Sequence, residues 1–154
     1  MSDIAAITEH EVALIARFVE LLKEEQDSLR SSDPTQLPEL ATAKAALVEQ
    51  LNAVEDQRIA ALAMPVGDKP RAAMEKWLAA NPAQRAAALN WTKLLALADE
   101  ARQLHHENAG LVALHLQRTQ EALAILHGRS ASETLYGSNG QAATASGSRI
   151  VDSA

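Results

Sequence analysis

The chain has 154 residues, a net charge of −6 and no cysteine, and 47% of its residues are apolar although only 3% are aromatic. This length suits one domain with a hydrophobic core, and a composition dominated by Ala, Leu, Glu, Gln and Arg is typical of long packed helices. An acidic chain without basic runs lacks the charge pattern of a nucleic-acid-binding protein, and the missing cysteine excludes disulfides, thiol catalysis and zinc-thiolate sites.

The first predicted helix begins at a capping box formed by Thr8 and Glu11, in which each side chain satisfies a backbone N–H of the first turn. Apolar positions then recur at spacings of three and four, which predicts coiled-coil-like packing. The helix ends at the sequence Ser31-Ser32-Asp33-Pro34. The positions of this seam are Val12, Ile15, Val19, Leu22, Gln26 and Leu29.

A second helix follows, with Asp33 or Thr35 as its predicted cap and with Pro34 and Pro38 confined to its first turn. Its seam includes two cations, Lys44 and Arg58. Long cationic side chains usually bury their stems and keep the charge in water, so we expect both to do so. The seam consists of Leu37, Leu40, Lys44, Leu47, Leu51, Val54, Arg58 and Ala61.

Residues 64–70 contain two prolines and a glycine and should end the second helix. A short helix over Arg71–Ala79 is predicted to follow. Asn81-Pro82 is the expected start of the last helix, which we predict to end at His127. Its 45 residues would span roughly 68 Å, so it should either extend past its partners or break near Gly110. The sequence therefore predicts an all-α protein: an elongated antiparallel helical bundle or coiled coil of three long helices plus one short helix over residues 1–127, and a flexible C-terminal tail over residues 128–154.

Catalytic chemistry has little support in this sequence. The glycines form no phosphate-binding loop, and no histidine has a second histidine or a carboxylate three or four residues away, the spacing of a helical metal site. The carboxylates are interspersed with Lys and Arg, as on a solvated helix surface. No run reaches the ~20 apolar residues of a membrane span, and the acidic N-terminus does not resemble a signal peptide. We expect a cytoplasmic protein with no enzyme activity, metal, cofactor, nucleic-acid partner or membrane insertion.

Asn108 occupies a core-type position in the last helix, because the seam through Leu94, Leu97, Ala101 and Leu104 continues through it. Two interpretations remain open. In coiled coils such an asparagine fixes the helix register at some cost in stability. Alternatively, it marks the point where internal packing ends and packing against a partner begins.

The C-terminal third resembles the FlgN-type flagellar export chaperones. The resemblance is carried by the segment 107–112, by the stretch 119–128 that ends in Leu-His-Gly, and by Thr134-Leu135-Tyr136-Gly137 before Asn139-Gly140. The order of the predicted helices, with Lys44 and Arg58 in the second and Trp91 early in the last, is also similar to that of this family. A serine precedes Asn139-Gly140, which is a small variation on the family's turn.

This resemblance implies a cytoplasmic chaperone for flagellar type III export. It would bind the C-terminal helical ends of the hook-filament junction proteins FlgK and FlgL, prevent their premature assembly and deliver them to the export gate. The resemblance also implies that Tyr136, the only tyrosine in the chain, docks the loaded chaperone on the cytoplasmic domain of the export gate protein FlhA.

An exposed apolar helix of a cargo can be covered by a partner helix with matching spacing. We therefore predict a cargo-binding stripe on the last helix, with Asn108 at its beginning. The same leucines could instead complete the bundle or hold a homodimer, so a homodimeric coiled-coil adaptor or structural protein without export cargo is the alternative. The predicted cargo-binding residues are Asn108, Val112, Leu116, Thr119, Leu123 and Leu126.

Overall fold

The fold is all-α, as the sequence predicts. A computed structural model describes residues 3–31, 33–63 and 67–136, together with the side chains of these residues up to 128. No strand occurs in these ranges, and the three long helices and one short helix follow in the predicted order. Their bounds are Ile4–Ser31 for α1, Leu37–Leu62 for α2, Pro70–Ala80 for α3 and Arg85–Tyr136 for α4.

The first helix begins earlier than the predicted capping box. The Asp3 carboxylate accepts a hydrogen bond from the backbone N–H of Ala5 over 2.9 Å, and it thereby satisfies a donor of the first turn. Thr8 lies inside the helix, where its hydroxyl donates to the Ile4 carbonyl over 2.7 Å. The capping-box prediction was therefore wrong, and Glu11 is free for a different interaction.

The predicted cap of the second helix, Asp33 or Thr35, was wrong, and the C-terminus of this helix is strained. Gln36 is its N-cap without a side-chain hydrogen bond, whereas Asp33 accepts from the Thr35 N–H before the helix starts. At the other end Ala63 has φ 49° and ψ 50°, the left-handed conformation that glycine normally supplies after a helix. Gly67, with φ 101°, then allows the turn toward α3.

The start of α4 was also predicted incorrectly. Asn81 caps the end of α3 instead, because its side-chain amide donates to the Trp77 carbonyl over 2.8 Å. A turn follows, closed by the Gln84 N–H and the Asn81 carbonyl, and α4 begins at Arg85. The Asn-Pro pair is therefore part of the corner between two helices rather than the first turn of the second.

Helix α4 has no break at Gly110 and ends at Tyr136 rather than at His127. The helix continues through Gly128, and the Ser-Ala-Ser-Glu sequence that follows has a moderate helix propensity, which is compatible with this continuation. Residues 137–154, most of the predicted tail, lie outside the described residues, and the predicted division at residue 128 stays a prediction.

The chain divides into two compact units, Met1–Leu111 and Val112–Ala154. In the first unit α1 and α2 are antiparallel, since Glu11 contacts Arg58 and Glu25 contacts Lys44. Helices α1 and α4 are parallel there, because Asn90 bonds to Ala5 near the start of α1 and Asn108 bonds to Leu22 farther along. The second unit contains the remainder of α4.

Two apolar clusters form the core of the first unit. One lies where α3 packs across the starts of α1 and α4, and it is built around Met74 and Trp91. The other lies midway along α1 and α4 and is built around Leu22. The buried members of the two clusters are Ile4, Met74, Ala87, Trp91 and Leu94 in the first, and Val19, Leu22 and Ala101 in the second.

Candidate functional site

The second unit carries a concentration of exposed apolar side chains. Of the eight large hydrophobic side chains that are exposed in the described part of the chain, six lie within residues 112–126. Four of the predicted cargo-binding residues are among them. Their exposed fractions are 52% for Val112, 57% for Leu116, 49% for Leu123 and 60% for Leu126.

These four residues and Thr119 share one face of α4. At about 100° per residue they fall within an arc of roughly 80°, the width of a normal helix contact. Thr119 adds little polarity, because its hydroxyl donates to the His115 carbonyl of its own helix over 2.9 Å. We call Val112, Leu116, Thr119, Leu123 and Leu126 the α4 stripe.

The segment around the stripe carries few charges. Within residues 109–128 the Lys, Arg, Asp and Glu side chains number two, Arg118 and Glu121. A solvated helix face usually alternates charges of both signs, as the first half of α4 does with Asp99 and Arg102, which are paired over 2.7 Å. The low charge and the exposure together favour a surface that a partner covers.

Asn108, the sixth predicted residue, lies in the first unit and is buried at 2% exposure. Its side-chain Nδ2 donates to the Leu22 carbonyl and to Glu25 Oε1 of α1, each over 2.9 Å. Glu25 in turn pairs with Lys44 of α2, so one polar connection joins three helices. This position favours the structural interpretation of Asn108, and its predicted contact with cargo stays untested.

A second polar contact lies next to Asn108. The Gln26 amide donates to Glu107 Oε2 over 2.8 Å, and this hydrogen bond is the main reason why the pKa of Glu107 lies below its usual value. Polar pairs at a defined level of two helices disfavour other registers, since any shift would leave buried polar atoms unsatisfied. The hydrogen bonds of Asn108 and Glu107 to α1 therefore fix the register in which α4 packs on α1, shortly before the stripe begins.

Deep in the first unit, Arg58 forms a buried ion pair that the sequence analysis missed. Its Nε donates to Glu11 Oε1 over 2.7 Å, and both side chains are 5% exposed. Its guanidinium carbon also lies 4.8 Å from the centre of the Trp91 ring. The expectation that Arg58 keeps its charge in water was wrong. Lys44 does not hold its charge free in water either, because its ammonium pairs with Glu25 and its side chain is only 19% exposed.

The titration of Glu11 reflects this environment. Burial raises the pKa of Glu11 above its usual value, and the positive charge and hydrogen bond of Arg58 oppose that rise. The signal in the sequence was a pair of opposite charges at seam-like positions of α1 and α2. To recognise this pair, the register in which the two antiparallel helices pack must be known, and the sequence pattern of each helix alone does not give it.

The structure also adds two apolar residues to the surface of the second unit. Leu114 and Ile125 are 40% and 60% exposed, although neither belongs to the predicted stripe. Tyr136 is the last residue of α4, and its side chain lies outside the described residues, so the predicted docking role is untested.

The FlgN protein family matches residues 1–144. This match spans nearly the whole chain. The chain belongs to the FlgN family. FlgN proteins are flagellar export chaperones that bind hook-associated proteins, and the family is not an enzyme family.

No curated protein and no solved structure matches this FlgN protein. Across the described helices, none is both long and apolar enough to cross a membrane. The same residues contain no group of three or more His, Cys, Asp or Glu side chains placed to hold a metal ion.

Proposed function

We propose that this FlgN protein is a cytoplasmic chaperone that binds the C-terminal helical ends of FlgK and FlgL through the α4 stripe. One observation carries the proposal: most of the exposed large hydrophobic side chains of the described chain are gathered within residues 112–126. A cargo helix destined for a coiled-coil assembly exposes a similar apolar face. Coverage of that face by the stripe prevents self-association before export.

The stripe has suitable dimensions for this role. Its first and last residues are separated by 14 positions, or about 21 Å of helix, which corresponds to about four turns. The spacing of four, three, four and three residues matches that of a partner helix packed along it. The low charge of residues 109–128 removes the cost of desolvating ionic side chains beneath the cargo.

In this proposal Asn108 lies at the beginning of the stripe, and its contact with cargo stays a prediction. Its amide is occupied by Leu22 and Glu25, so it holds α4 in register on α1 up to Leu111. The apolar residues after this point then keep their exposed positions. The hydrogen bonds of Asn108 support this role in setting the register.

The function is tested by replacing Leu116, Leu123 and Leu126 with glutamine and measuring capture of purified FlgK and FlgL. We expect loss of capture with the helical circular dichroism signal retained, because these side chains are exposed. Loss of helicity together with binding would assign the leucines to the fold and would contradict the proposal.

Tyr136 docks the loaded chaperone on the cytoplasmic domain of FlhA in this proposal. Its support is its position at the end of α4, directly after the cargo-binding segment, and its resemblance to the docking tyrosine of the family. Tyr136→Ala should leave cargo affinity unchanged and weaken binding of the complex to FlhA, whereas Tyr136→Phe should retain most of that binding. Equal FlhA affinity of all three proteins in titration calorimetry would refute this role.

A homodimeric adaptor is the second candidate, because the exposed stripe could equally pack against its own copy. This candidate predicts a tight dimer at low protein concentration that FlgK does not dissociate. Sedimentation velocity of the protein with and without FlgK separates the two functions.

A further inference from the structure

The apolar surface of the second unit extends beyond the stripe. Leu114 and Ile125 are separated by 11 residues, close to three helical turns, and so they lie on one face. At about 100° per residue, that face is roughly opposite the centre of the stripe. Both side chains are exposed, at 40% and 60%.

One side of the helix, with one alanine and two polar residues, connects the two faces. Ala122 lies between Ile125 and Leu126 in projection, and only His115 and Arg118 interrupt the surface there. The apolar arc from Leu114 round to Leu116 therefore covers about 200°. A helix packed on one neighbour needs an apolar face of about 100°.

The remaining side of the helix is different in character. Gln117 and Glu121 lie there and are joined by a hydrogen bond of 3.2 Å, together with Ala113, Ala124 and His127. No large apolar side chain occupies this side within residues 112–128. The helix thus has a polar side of about 160° and an apolar arc of about 200°.

One partner helix would leave about half of this arc in water. The four apolar stripe residues are already about half buried in the free protein, so a covering helix removes only the remaining half of their surface from water. The free energy gained by covering the stripe alone is therefore of the same size as the free energy lost when two molecules give up translational and rotational freedom on binding. Coverage of both faces adds two more large side chains to the interface.

We infer that the partner of this segment presents two apolar helices, which flank residues 112–126 of α4 on both faces in a one-to-one complex. This inference rests on the proposed function and specifies the cargo as a helical pair rather than a single amphipathic helix. A second copy of the chain is the weaker occupant, since its exposed apolar segment is one helix and covers only one face. The other two exposed large hydrophobic side chains of the described chain are Val48 on α2 and Leu89 near the start of α4. Each stands alone, so the first unit offers no second apolar helix face.

The absence of cysteine from the chain makes a direct test possible. Single cysteines are introduced at three neighbouring exposed positions, as Leu123→Cys on the stripe, Ile125→Cys on the opposite face and Ala124→Cys on the polar side. Maleimide labelling rates are measured by mass spectrometry for each full-length variant, free and saturated with purified FlgK. Light scattering gives the stoichiometry of each complex.

We expect labelling to slow at least tenfold at positions 123 and 125 and by less than twofold at 124, in a one-to-one complex. Protection at 123 with an unchanged rate at 125 would overturn the two-helix inference while leaving the proposed function intact. Protection at 125 in a complex with two chaperones would also overturn it, because a second copy would then cover that face. Absence of a complex, or a complex without protection at 123, would refute the proposed function itself.

Discussion

Replacement of Arg58 by methionine should destabilise the first unit strongly and in a pH-dependent way. Methionine keeps much of the volume of the side chain but removes the cation that pairs with Glu11 over 2.7 Å and stacks on Trp91. Removal of one partner from a buried ion pair typically costs about 3–5 kcal/mol, because the other charge stays buried and uncompensated. This is a large part of the about 5–15 kcal/mol that stabilises a typical domain.

The sign of the pH dependence follows from Glu11. Burial raises its pKa in the folded protein above the ordinary value of 4.5, and Arg58 now limits that rise. Without Arg58 the folded pKa rises further. A carboxyl with a raised folded pKa contributes stability below its unfolded pKa and loses it as pH increases through the folded value. The deficit of Arg58→Met should therefore be largest near pH 7.5 and should shrink as pH falls toward 4.5.

Urea denaturation at pH 7.5 and at pH 5 measures both effects. Arg17→Met is the matched control, because the Arg17–Glu20 pair is exposed and should contribute less than about 1 kcal/mol. The double variant Glu11→Leu/Arg58→Met should recover most of the lost stability, since no buried charge remains. A deficit of Arg58→Met below about 1 kcal/mol, or one that does not change with pH, would refute the reasoning.

Three further predictions concern the helix ends and the interior of α4. Ala63→Gly should stabilise the protein by about 1 kcal/mol, because Ala63 has the left-handed conformation that costs a side chain roughly that much; an unchanged urea midpoint would contradict this. Gly110→Ala should stabilise α4 by about 0.8 kcal/mol, since an added methyl group meets nothing within 4 Å, and thermal denaturation should show a higher Tm. Asn108→Asp should cost at least about 2 kcal/mol at pH 7.5, because it replaces the donor to Glu25 with a second carboxylate; Asn108→Leu should stay within about 1 kcal/mol of the wild type, and the reverse order in urea denaturation would be contradictory.

The number, order and type of the helices were predictable because the apolar spacings of three and four are strong over long segments. The bounds were harder to predict. Asn81-Pro82 is a favourable helix start in isolation, yet Asn81 caps the preceding helix because α3 ends within reach of its amide. Thr8 and Glu11 match a capping box, but packing around Ile4 holds an earlier turn in the helix. In both cases tertiary contacts outweighed a local signal.

The candidate site shows the same division. The exposed stripe was predictable for two reasons. The last helix was expected to be longer than α1 and α2, and its regular apolar spacing continues past the point where these two helices end. The roles of Glu11 and Arg58 were not, because these two charges, 47 residues apart, meet only in one register of the antiparallel α1 and α2, and the pattern of each helix does not give that register. Leu114 and Ile125 belong to the same leucine-rich sequence, whose apolar side chains are too numerous for one partner helix, and the structure adds that both side chains are exposed.

Binding of the helical end of the cargo to the α4 stripe can be measured directly in solution. Titration calorimetry of FlgK with Leu116→Gln/Leu123→Gln tests it most directly, with Val48→Gln/Leu89→Gln as the control because these two side chains are also exposed but lie outside the stripe. We expect the stripe variant to bind at least about tenfold more weakly, a change of about 1.4 kcal/mol or more, and the control to stay within about twofold of the wild type. Equal affinity of the stripe variant and the wild type, or an equal loss in the control, would contradict this expectation.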